Sequence, residues 1–593
     1  MGAIALRIGL LFGRGDYVAF DEGWYLLLGR NLWSGDGYTL SGLQHVALSP
    51  LFPMLSGALD VLVGDTVWAG RLVAAVAAGL VVVPCWSVFR RLAGERVATV
   101  GVAFVALLPS LAPFVVPYWI GWDLWVGAEP LLHLFVFTGL ALLLRAWDER
   151  SLGAAAACGV AFGLAYLARP EAIGAFGVAG ILALVLALVS WGRRDVVAST
   201  DGARARGRWT ASRPWCFTAC ALAFVAVSTP YWLYLHDALG RWTITGRWVQ
   251  VIPPVRSQVG LGAASSSNRI EDMLWRGDEA PYIRSLYSLD ASGTRLANGY
   301  WGVQPSEGVG VNAPDGGAES SRGADATQAS GSPADSSGAD SPAPASASAT
   351  SAADAPKQGL LRYAEALGVV FPWYLWLFAV VGLVTRMRER RLDLEALVGI
   401  PLVVTSLVIA RTVAIDPRTQ LFLAPLAAFY AAAGVVALGD RLARRTEGRI
   451  RGEMAPKLLV GALALALLGT SLVRLGLSLI VGSPHHIVAA ENATVGLAIR
   501  RASPEGVTVV SFHPALALFA DRDWRVLPVE PMDRIVRYAR TQPGAQLVLS
   551  VFYPPQVREA EEPHYIIVPV PPDIPESGAW RIHIDEPGTV YAF

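Results

Sequence analysis

Charged residues are scarce in this chain of 593 residues: they make up 16% of it, whereas 53% is apolar. Lysine is almost missing, because Lys357 and Lys457 are the only two, and arginine supplies nearly all the positive charge. The formal net charge is zero, which argues against a general attraction to nucleic acid. Repeated apolar runs of about 20 residues instead predict membrane-spanning helices.

Cysteine is also rare, with four residues, all of them in predicted spans. No histidine or second cysteine pair accompanies Cys216 and Cys220, so the usual ligand set of a zinc site is missing and buried apolar roles are favoured. No cleavable signal peptide is expected, because the spans themselves would direct the chain to the membrane.

The apolar runs predict ten spans, and residues 3–12 look like the tail of an eleventh that is too short to cross a bilayer of about 30 Å alone. The ten spans are 66–89, 97–117, 123–144, 152–168, 172–191, 215–235, 366–385, 395–413, 419–438 and 457–482.

Arginine-rich connections alternate with connections that are poorer in Lys and Arg. The rich ones are 90–96, 145–150, 193–213, 386–391 and 441–457. By the positive-inside rule they are cytoplasmic. The first outer loop (13–65), the large loop 236–365 and the tail after 482 are then extracytoplasmic.

The outer segments differ in character. In the first outer loop, 22–33 and 50–63 predict helices that lie at the membrane interface. Residues 305–357 hold seven acids against two bases and no aromatic, Leu, Ile or Met, which predicts disorder.

The tail, 483–593, predicts a small extracytoplasmic α/β domain. Its β-rich runs are Val507–Phe512, Gln546–Phe552, Tyr565–Val570 and Trp580–Asp585, with a helix-like run at Met532–Thr541. The fold class is therefore a polytopic α-helical membrane protein, with residues 1–482 forming the membrane-embedded domain.

Ionisable residues of the spans and of the outer connections lie near the predicted outer face. Such a residue costs about 3 kcal/mol at the bilayer midplane, so its presence needs a reason. A site at the outer face is favoured over a charge pathway across the membrane, although ends of helices also carry charges that merely snorkel or pair. The residues are Asp21, Glu22, His45, Arg71, Asp123, Glu129, Arg169, Glu171, Arg411, Asp416 and Arg418.

Several short motifs, in order and on one side of the membrane, carry a resemblance. They are Asp21-Glu22-Gly-Trp-Tyr25, Gly35-Asp-Gly37-Tyr38, Ser49-Pro50-Leu51-Phe52-Pro53, Arg71-Leu-Val, Gly127-Ala-Glu129-Pro130-Leu, the hinge at Arg169-Pro170-Glu171, and Pro417-Arg418 through Pro425. Over about residues 5–440 the chain resembles the GT-C glycosyltransferases that use polyprenyl-phosphate sugars. Protein O-mannosyltransferases and the bacterial transferases of lipid A aminoarabinose are the most similar. Thr419 departs from the family pattern, which has an aromatic after the arginine.

The resemblance implies transfer of a sugar from a lipid carrier to an acceptor hydroxyl at the outer face of the cytoplasmic membrane. By position, Asp21 would be the general base and Glu22 would assist it. Arg169 and Arg418 would hold the lipid phosphate. The remaining candidates, which would shape the substrate pocket, are Arg71, Glu129, Tyr25, Glu171 and His45. His45 also suits a structural role, and Asp21 a helix N-cap.

No cofactor is required by this scheme. A divalent metal on Asp21, Glu22 and Glu129 is possible but not favoured. The partners implied are the lipid carrier and an acceptor that is a protein, a lipid or a glycan. The sugar, the acceptor and the oligomeric state stay open. The alternatives are a polytopic transporter or flippase accessory for lipid-linked sugars and a catalytically inactive scaffold that binds them.

Overall fold

The structure is a computed structural model. It describes residues 2–12, 18, 22–40, 43–46, 48–107, 127–197, 212–239, 242–246, 363–364, 367–368, 370–388, 392–412, 420–445, 458–463, 465–466, 469, 493–501, 503–511, 514–526, 546–550 and 565–569.

Helices dominate the N-terminal three quarters of these residues. They are α1 (Gly2–Leu11), α2 (Glu22–Ser34), α3 (Leu51–Val63), α4 (Thr66–Leu80), α5 (Val82–Ala93), α6 (Glu95–Leu107), α7 (Glu129–Glu149), α8 (Leu152–Ala168), α9 (Ala172–Val197), α10 (Ser212–Leu239), α11 (Trp373–Arg388), α12 (Leu392–Thr412) and α13 (Ala424–Arg445), which follows a 3-10 turn at Leu421–Leu423.

Five of the described helical segments are long and apolar enough to cross a bilayer, which identifies a multi-pass membrane protein. They are Thr66–Ala93, Glu129–Glu149, Pro214–Ala238, Asp393–Ala410 and Leu421–Arg444. Shorter apolar helices cover Leu51–Val63, Leu152–Ala168 and Ala172–Leu188. The predicted total of about eleven spans stays a prediction, because 108–126 and most of 446–492 lie outside the described residues.

Prolines interrupt two of the predicted spans. The span predicted at 66–89 corresponds to the apolar segment Thr66–Ala93, in which α4 and α5 meet at Val81. Pro84 explains the break, since its ring clashes with the carbonyl four residues earlier and it has no N–H to donate. The span predicted at 366–385 is interrupted at 371–372: 367–368 and 370 are helical, and α11 begins at Trp373, directly after Pro372. The helix predicted at 123–144 continues to Glu149.

The helices form one bundle in which close backbone contacts fix the neighbours. α7 packs on α8, α8 on α10, α9 on α12, and α6 and α11 on α13. A Cβ atom added at Gly382 would lie 1.8 Å from the Tyr430 carbonyl oxygen, and one at Gly434 would lie 2.0 Å from that of Phe378. Small residues allow such contact between membrane helices, so these two glycines set the distance between α11 and α13.

Ion pairs join several helix ends at one end of the bundle. Arg91 on α5 pairs with Asp148 on α7 at 2.9 Å, and Arg96 on α6 pairs with Asp440 on α13 at 2.8 Å. Arg386, at the end of α11, donates to the Leu92 carbonyl at 2.6 Å. The basic connections 90–96 and 145–150 therefore lie together with the end of α11 at 386–388. Since α7 has 21 residues, its start lies about 30 Å away from them.

The C-terminal part is an α/β unit with helices at 493–501 (α14) and Ala515–Ala520 (α15). Its strands, β3 (Thr508–Ser511), β4 (Asp523–Val526), β5 (Gln546–Ser550) and β6 (Tyr565–Pro569), form a sheet in the order β4-β3-β5-β6. β3 is parallel to β4 and β5, whereas β6 is antiparallel to β5. A short antiparallel hairpin follows α2, and its strands, β1 (Thr39–Leu40) and β2 (Leu43–Gln44), have two residues each.

Three of these strands lie in β-rich runs of the sequence, but β4 is not predicted. Its four residues include Asp523 and Arg525, and as an edge strand it buries little beyond Trp524. The predicted helix Met532–Thr541 and strand Trp580–Asp585 lie outside the described residues. The boundary of the C-terminal domain at 483 stays a prediction.

We expect Gly382→Ala to destabilise the bundle by about 1–3 kcal/mol, because overpacking a close contact costs that much. The measurement is thermal unfolding of the purified protein in detergent. Gly180→Ala on α9 is the matched control, since nothing lies within 4 Å of its added Cβ. Equal melting temperatures for the two variants would contradict the proposed spacing role of Gly382.

Candidate functional site

Two helix ends meet at the end of the bundle opposite the basic connections. α7 begins at Glu129, with Pro130 in its first turn, where proline is tolerated and a carboxylate suits the positive end of the helix dipole. α8 ends at Ala168, and Arg169 caps it in an extended conformation, with φ −152° and ψ 133°. Because Pro170 follows, the helical conformation is disfavoured at Arg169, so the chain turns there.

Arg169 holds two carboxylates at this hinge. Its Nη1 donates to Oε1 of Glu129, its Nη2 donates to Oε1 of Glu171 at 2.9 Å, and its Nε donates to Oε2 of Glu171 at 3.3 Å. Only 7% of Arg169 and 3% of Glu129 are exposed. Burial would lower the pKa of Arg169, but the carboxylates of Glu171 and Glu129 outweigh it and raise this pKa. The guanidinium therefore stays charged.

This buried cluster fixes the starts and ends of its helices relative to each other. The fork of a guanidinium matches a carboxylate with two parallel hydrogen bonds, and Glu171 receives such a pair. Glu129 lies 40 positions before Arg169 in the chain. One positive charge lies between two carboxylates, so an anionic ligand at Arg169 needs a further cation beside it.

The start of α2 lies beside this cluster. Tyr25 is fully buried, packs edge-on against Phe52 of α3 at 5.4 Å, and shares a buried cluster with Ala128 and Ala168, the chain neighbours of Glu129 and Arg169. Glu22 is fully buried in the first turn of α2. Residues three apart lie on the same side of a helix, so Glu22 faces the same side as Tyr25. Asp21, the candidate base, directly precedes α2 and lies outside the described residues.

His45 makes contacts that stabilise the first loop. Its Nε2 accepts the backbone N–H of Leu48 at 2.9 Å, and its carbonyl accepts the hydroxyl of Tyr234 at 2.8 Å. Its ring lies 5.9 Å from that of Tyr38. Because Nε2 accepts, the imidazole is neutral with its proton on Nδ1. These contacts give His45 a structural role in the loop, and the structure does not bring it to Arg169 through any contact described.

Arg71 and Arg418 are the other two candidate cations. Arg71 is buried on α4, and its guanidinium carbon lies 5.8 Å from the ring centre of Trp68, one turn earlier. Arg418 lies outside the described residues. The next described residue is Gln420, which is buried and accepts a hydrogen bond from Ser406 on α12.

His133 is a neighbour of the cluster that the sequence analysis does not single out. It lies one turn after Glu129 on α7, and the charges of both Glu129 and Arg169 act on it. The spacing of four residues from Glu129 is the sequence signal that points to it, because residues i and i+4 share a helix face.

Among the described residues, no group of three or more His, Cys, Asp or Glu side chains is arranged to hold a metal ion. Asp21 belongs to the metal-binding set considered above and is not among those residues. The prediction that no metal is required therefore stays a prediction.

Comparisons with known proteins agree with the motifs. Residues 48–200 match the family model of the dolichyl-phosphate-mannose-protein mannosyltransferases. No protein with a curated description matches the sequence. Among solved structures, ArnT from Cupriavidus metallidurans bound to undecaprenyl phosphate is 14% identical, with a TM-score of 0.49 over 93% of this chain and 92% of that one.

A second similar structure is the oligosaccharyltransferase of Archaeoglobus fulgidus without ligand, at 12% identity and a TM-score of 0.44 over 90% of this chain and 66% of that one. The same archaeal protein, AglB, with an inhibitory peptide and a dolichol-phosphate, is 11% identical. It has a TM-score of 0.44 over 90% of this chain and 65% of that one. The family match includes Arg71, Glu129 and Arg169 but not Asp21 or Arg418. Over residues 48–200 it confirms the resemblance to the GT-C glycosyltransferases of the polyprenyl-phosphate-sugar type.

Proposed function

We propose that the protein transfers a sugar from a polyprenyl-phosphate carrier to an acceptor hydroxyl at the extracytoplasmic face of the cytoplasmic membrane. The observation that carries this proposal is the buried cluster of Arg169, Glu129 and Glu171 beside the start of α2. Tyr25, three residues after Glu22, shares a buried cluster with Ala168, the residue before Arg169, although the sequence separates them by more than 140 residues.

The position of the cluster in the bundle supports the proposed side of the membrane. The ion-paired basic connections lie at the far end of α7, and the positive-inside rule assigns such connections to the cytoplasm. The start of α7, with Glu129, is then at the outer face. A lipid carrier with its phosphate at the headgroup level reaches that depth without crossing the membrane.

The chemistry needs a base and cations. The acceptor oxygen attacks the anomeric carbon of the sugar while the bond from that carbon to the phosphate oxygen breaks. The phosphate leaves with the bonding electron pair, so it needs little acid help. Asp21 takes the acceptor proton, and Glu22 orients Asp21 or the hydroxyl. Arg169 and Arg418 stabilise the charge that develops on the departing phosphate.

Two carboxylates already bind the Arg169 guanidinium, so the phosphate of the donor must bind the same guanidinium beside them. Three of its N–H groups contact Glu129 and Glu171, and a guanidinium has five. The remaining donors are available to a phosphate oxygen, and the carboxylates fix the direction of the fork. Glu129, Glu171, Tyr25 and Arg71 thus shape the pocket, whereas the lipid carrier and a protein, lipid or glycan acceptor are the substrates.

A transporter fits the polar residues less well. Coupled transporters place their binding residues near the bilayer midplane, on broken helices. Here the buried cluster lies at the helix ends of α7 and α8. This placement favours chemistry at a membrane surface.

We expect Asp21→Asn to lower the transfer rate about 100- to 10,000-fold, the usual cost of removing a general base. Purified variants are assayed in detergent with a labelled polyprenyl-phosphate sugar and membrane extract as acceptor. Asp148→Asn is the control, because it removes a carboxylate of the Arg91 pair at the other end of the bundle. Most of the wild-type rate remaining in Asp21→Asn would refute the assignment of the base.

We expect Arg169→Lys to raise the KM for the donor about tenfold or more, since lysine keeps the charge but lacks the bidentate fork. Arg418→Ala should have the same direction of effect. Arg145→Lys is the matched control, because Arg145 pairs with Glu149 at 2.8 Å on the exposed opposite end. Melting temperatures identify variants that fail to fold. An unchanged donor KM in both Arg169→Lys and Arg418→Ala would contradict phosphate binding by these residues.

The side of the membrane is testable with single cysteines in a variant that lacks the four native ones. Ser34 at the end of α2 and Arg444 near the end of α13 are both exposed. A membrane-impermeant thiol reagent added outside intact cells should label Ser34→Cys and spare Arg444→Cys, as the basic connections predict. Labelling of Arg444→Cys alone would put the first loop in the cytoplasm and exclude the proposed reaction.

A further inference from the structure

The C-terminal α/β unit and the first outer loop share one hydrophobic core. Helix α15 packs directly on α2. The buried residues of this core include Tyr25 and Leu26 from α2 together with Ile499, Leu516 and Trp524 from the C-terminal unit. The helix that begins with Glu22 therefore has the bundle on one side and the C-terminal unit on another.

Arg30 is the polar contact across this junction. Its Nη2 donates to the Arg522 carbonyl at 2.9 Å, and its Nη1 lies 3.7 Å from Oδ1 of Asp521. Burial lowers the pKa of Arg30, and the carboxylates of Asp521, Asp523, Asp60 and Asp36 oppose this effect. Arg30 on α2 thus lies in the field of carboxylates from α3, from the turn after α2 and from the C-terminal unit.

The Arg522 carbonyl, which accepts the hydrogen bond from Arg30, is held in place by the C-terminal unit. Asp521 ends α15 in the left-handed conformation, with φ 53°, and the backbone N–H of Arg522 donates to the Ala517 carbonyl at 3.0 Å. The side chain of Arg522 donates to the Ser503 carbonyl at 2.8 Å. The carbonyl of Arg522 therefore has a fixed position, and a bond to it fixes the partner.

We propose that Arg30 is a positioning residue through which the C-terminal α/β unit holds α2, and with it the acidic start of that helix, against the Arg169 cluster. Arg30 lies about two turns after Glu22 on a continuous helix of 13 residues, so a shift of α2 at Arg30 moves its start as well. The catalytic consequence rests on the proposed transferase function, whereas the coupling itself does not.

Arg500 provides a matched control. It lies on α14 and its Nη2 is 3.7 Å from Oδ2 of Asp521, the same distance and the same carboxylate as Arg30. Arg500→Ala removes an ion pair within the C-terminal unit, whereas Arg30→Ala removes the one that reaches α2. Arg30→Lys retains a charged donor and tests whether a defect comes from lost interaction rather than lost folding.

The coupling is measured by amide hydrogen exchange of the full chain in detergent, without substrate. We expect exchange within 22–34 to rise about tenfold in Arg30→Ala, the lower end of the effect of a hydrogen bond to a charged group. Arg500→Ala should leave that segment unchanged, and Arg30→Lys should restore most of the protection. Equal exchange in wild type and Arg30→Ala, or equal increases in Arg30→Ala and Arg500→Ala, would overturn the proposal.

The same variants give a kinetic signature if the protein is a transferase. We expect Arg30→Ala to lower kcat about tenfold with little change in the donor KM, because Arg30 does not touch the phosphate site. A rise in donor KM without a fall in kcat would overturn the positioning role. If wild type shows no transfer, the proposed function fails while the exchange experiment still decides the coupling.

Discussion

The buried contact of Arg169 with Glu129 and Glu171 is the constraint on which the organisation of this protein depends. Three charges lie where little water reaches, and they are tolerated because Arg169 is within hydrogen-bond distance of both carboxylates. Breaking such a buried pair typically costs about 3–5 kcal/mol, because it leaves an uncompensated charge. The contact closes the junction of α7, α8 and α9, and Tyr25 brings α2 to the same place.

The bundle has two chemically different ends as a result. One end carries exposed or partly exposed ion pairs such as Arg91 with Asp148 and Arg96 with Asp440, together with one buried pair, Arg386 with Glu395 at 2.6 Å. The exposed pairs each contribute little, about 0–1 kcal/mol, and they suit a face that meets water and anionic headgroups. The other end carries the buried cluster, the packed first loop and the C-terminal unit. A reaction on a lipid-borne phosphate needs the second kind of end.

Much of the fold was predictable from local pattern. Apolar runs located α8 and most other helices, and prolines such as Pro170 marked where the chain must turn. The apolar pattern did not show where a helix is interrupted: the run at 66–89 reads as one span, yet α4 and α5 meet at Val81, close to Pro84. Strand β4 was missed because Asp523 and Arg525 obscure its pattern and only pairing with β3 makes it a strand. His133 was missed because its sequence signal, the spacing of four residues from Glu129, has meaning only once Glu129 is known to belong to the site.

By itself the sequence determined the membrane class, the arginine-rich connections and the motif residues, because hydropathy, arginine placement and proline act over a few neighbouring residues. Only the tertiary structure decided which of those residues meet. It paired Glu129 with Arg169, bonded the His45 side chain to the backbone N–H of Leu48, and placed Arg30 against the C-terminal unit. These partners are 40, 3 and 492 positions apart, and contacts over the longer separations depend on how whole helices pack, which no local pattern records.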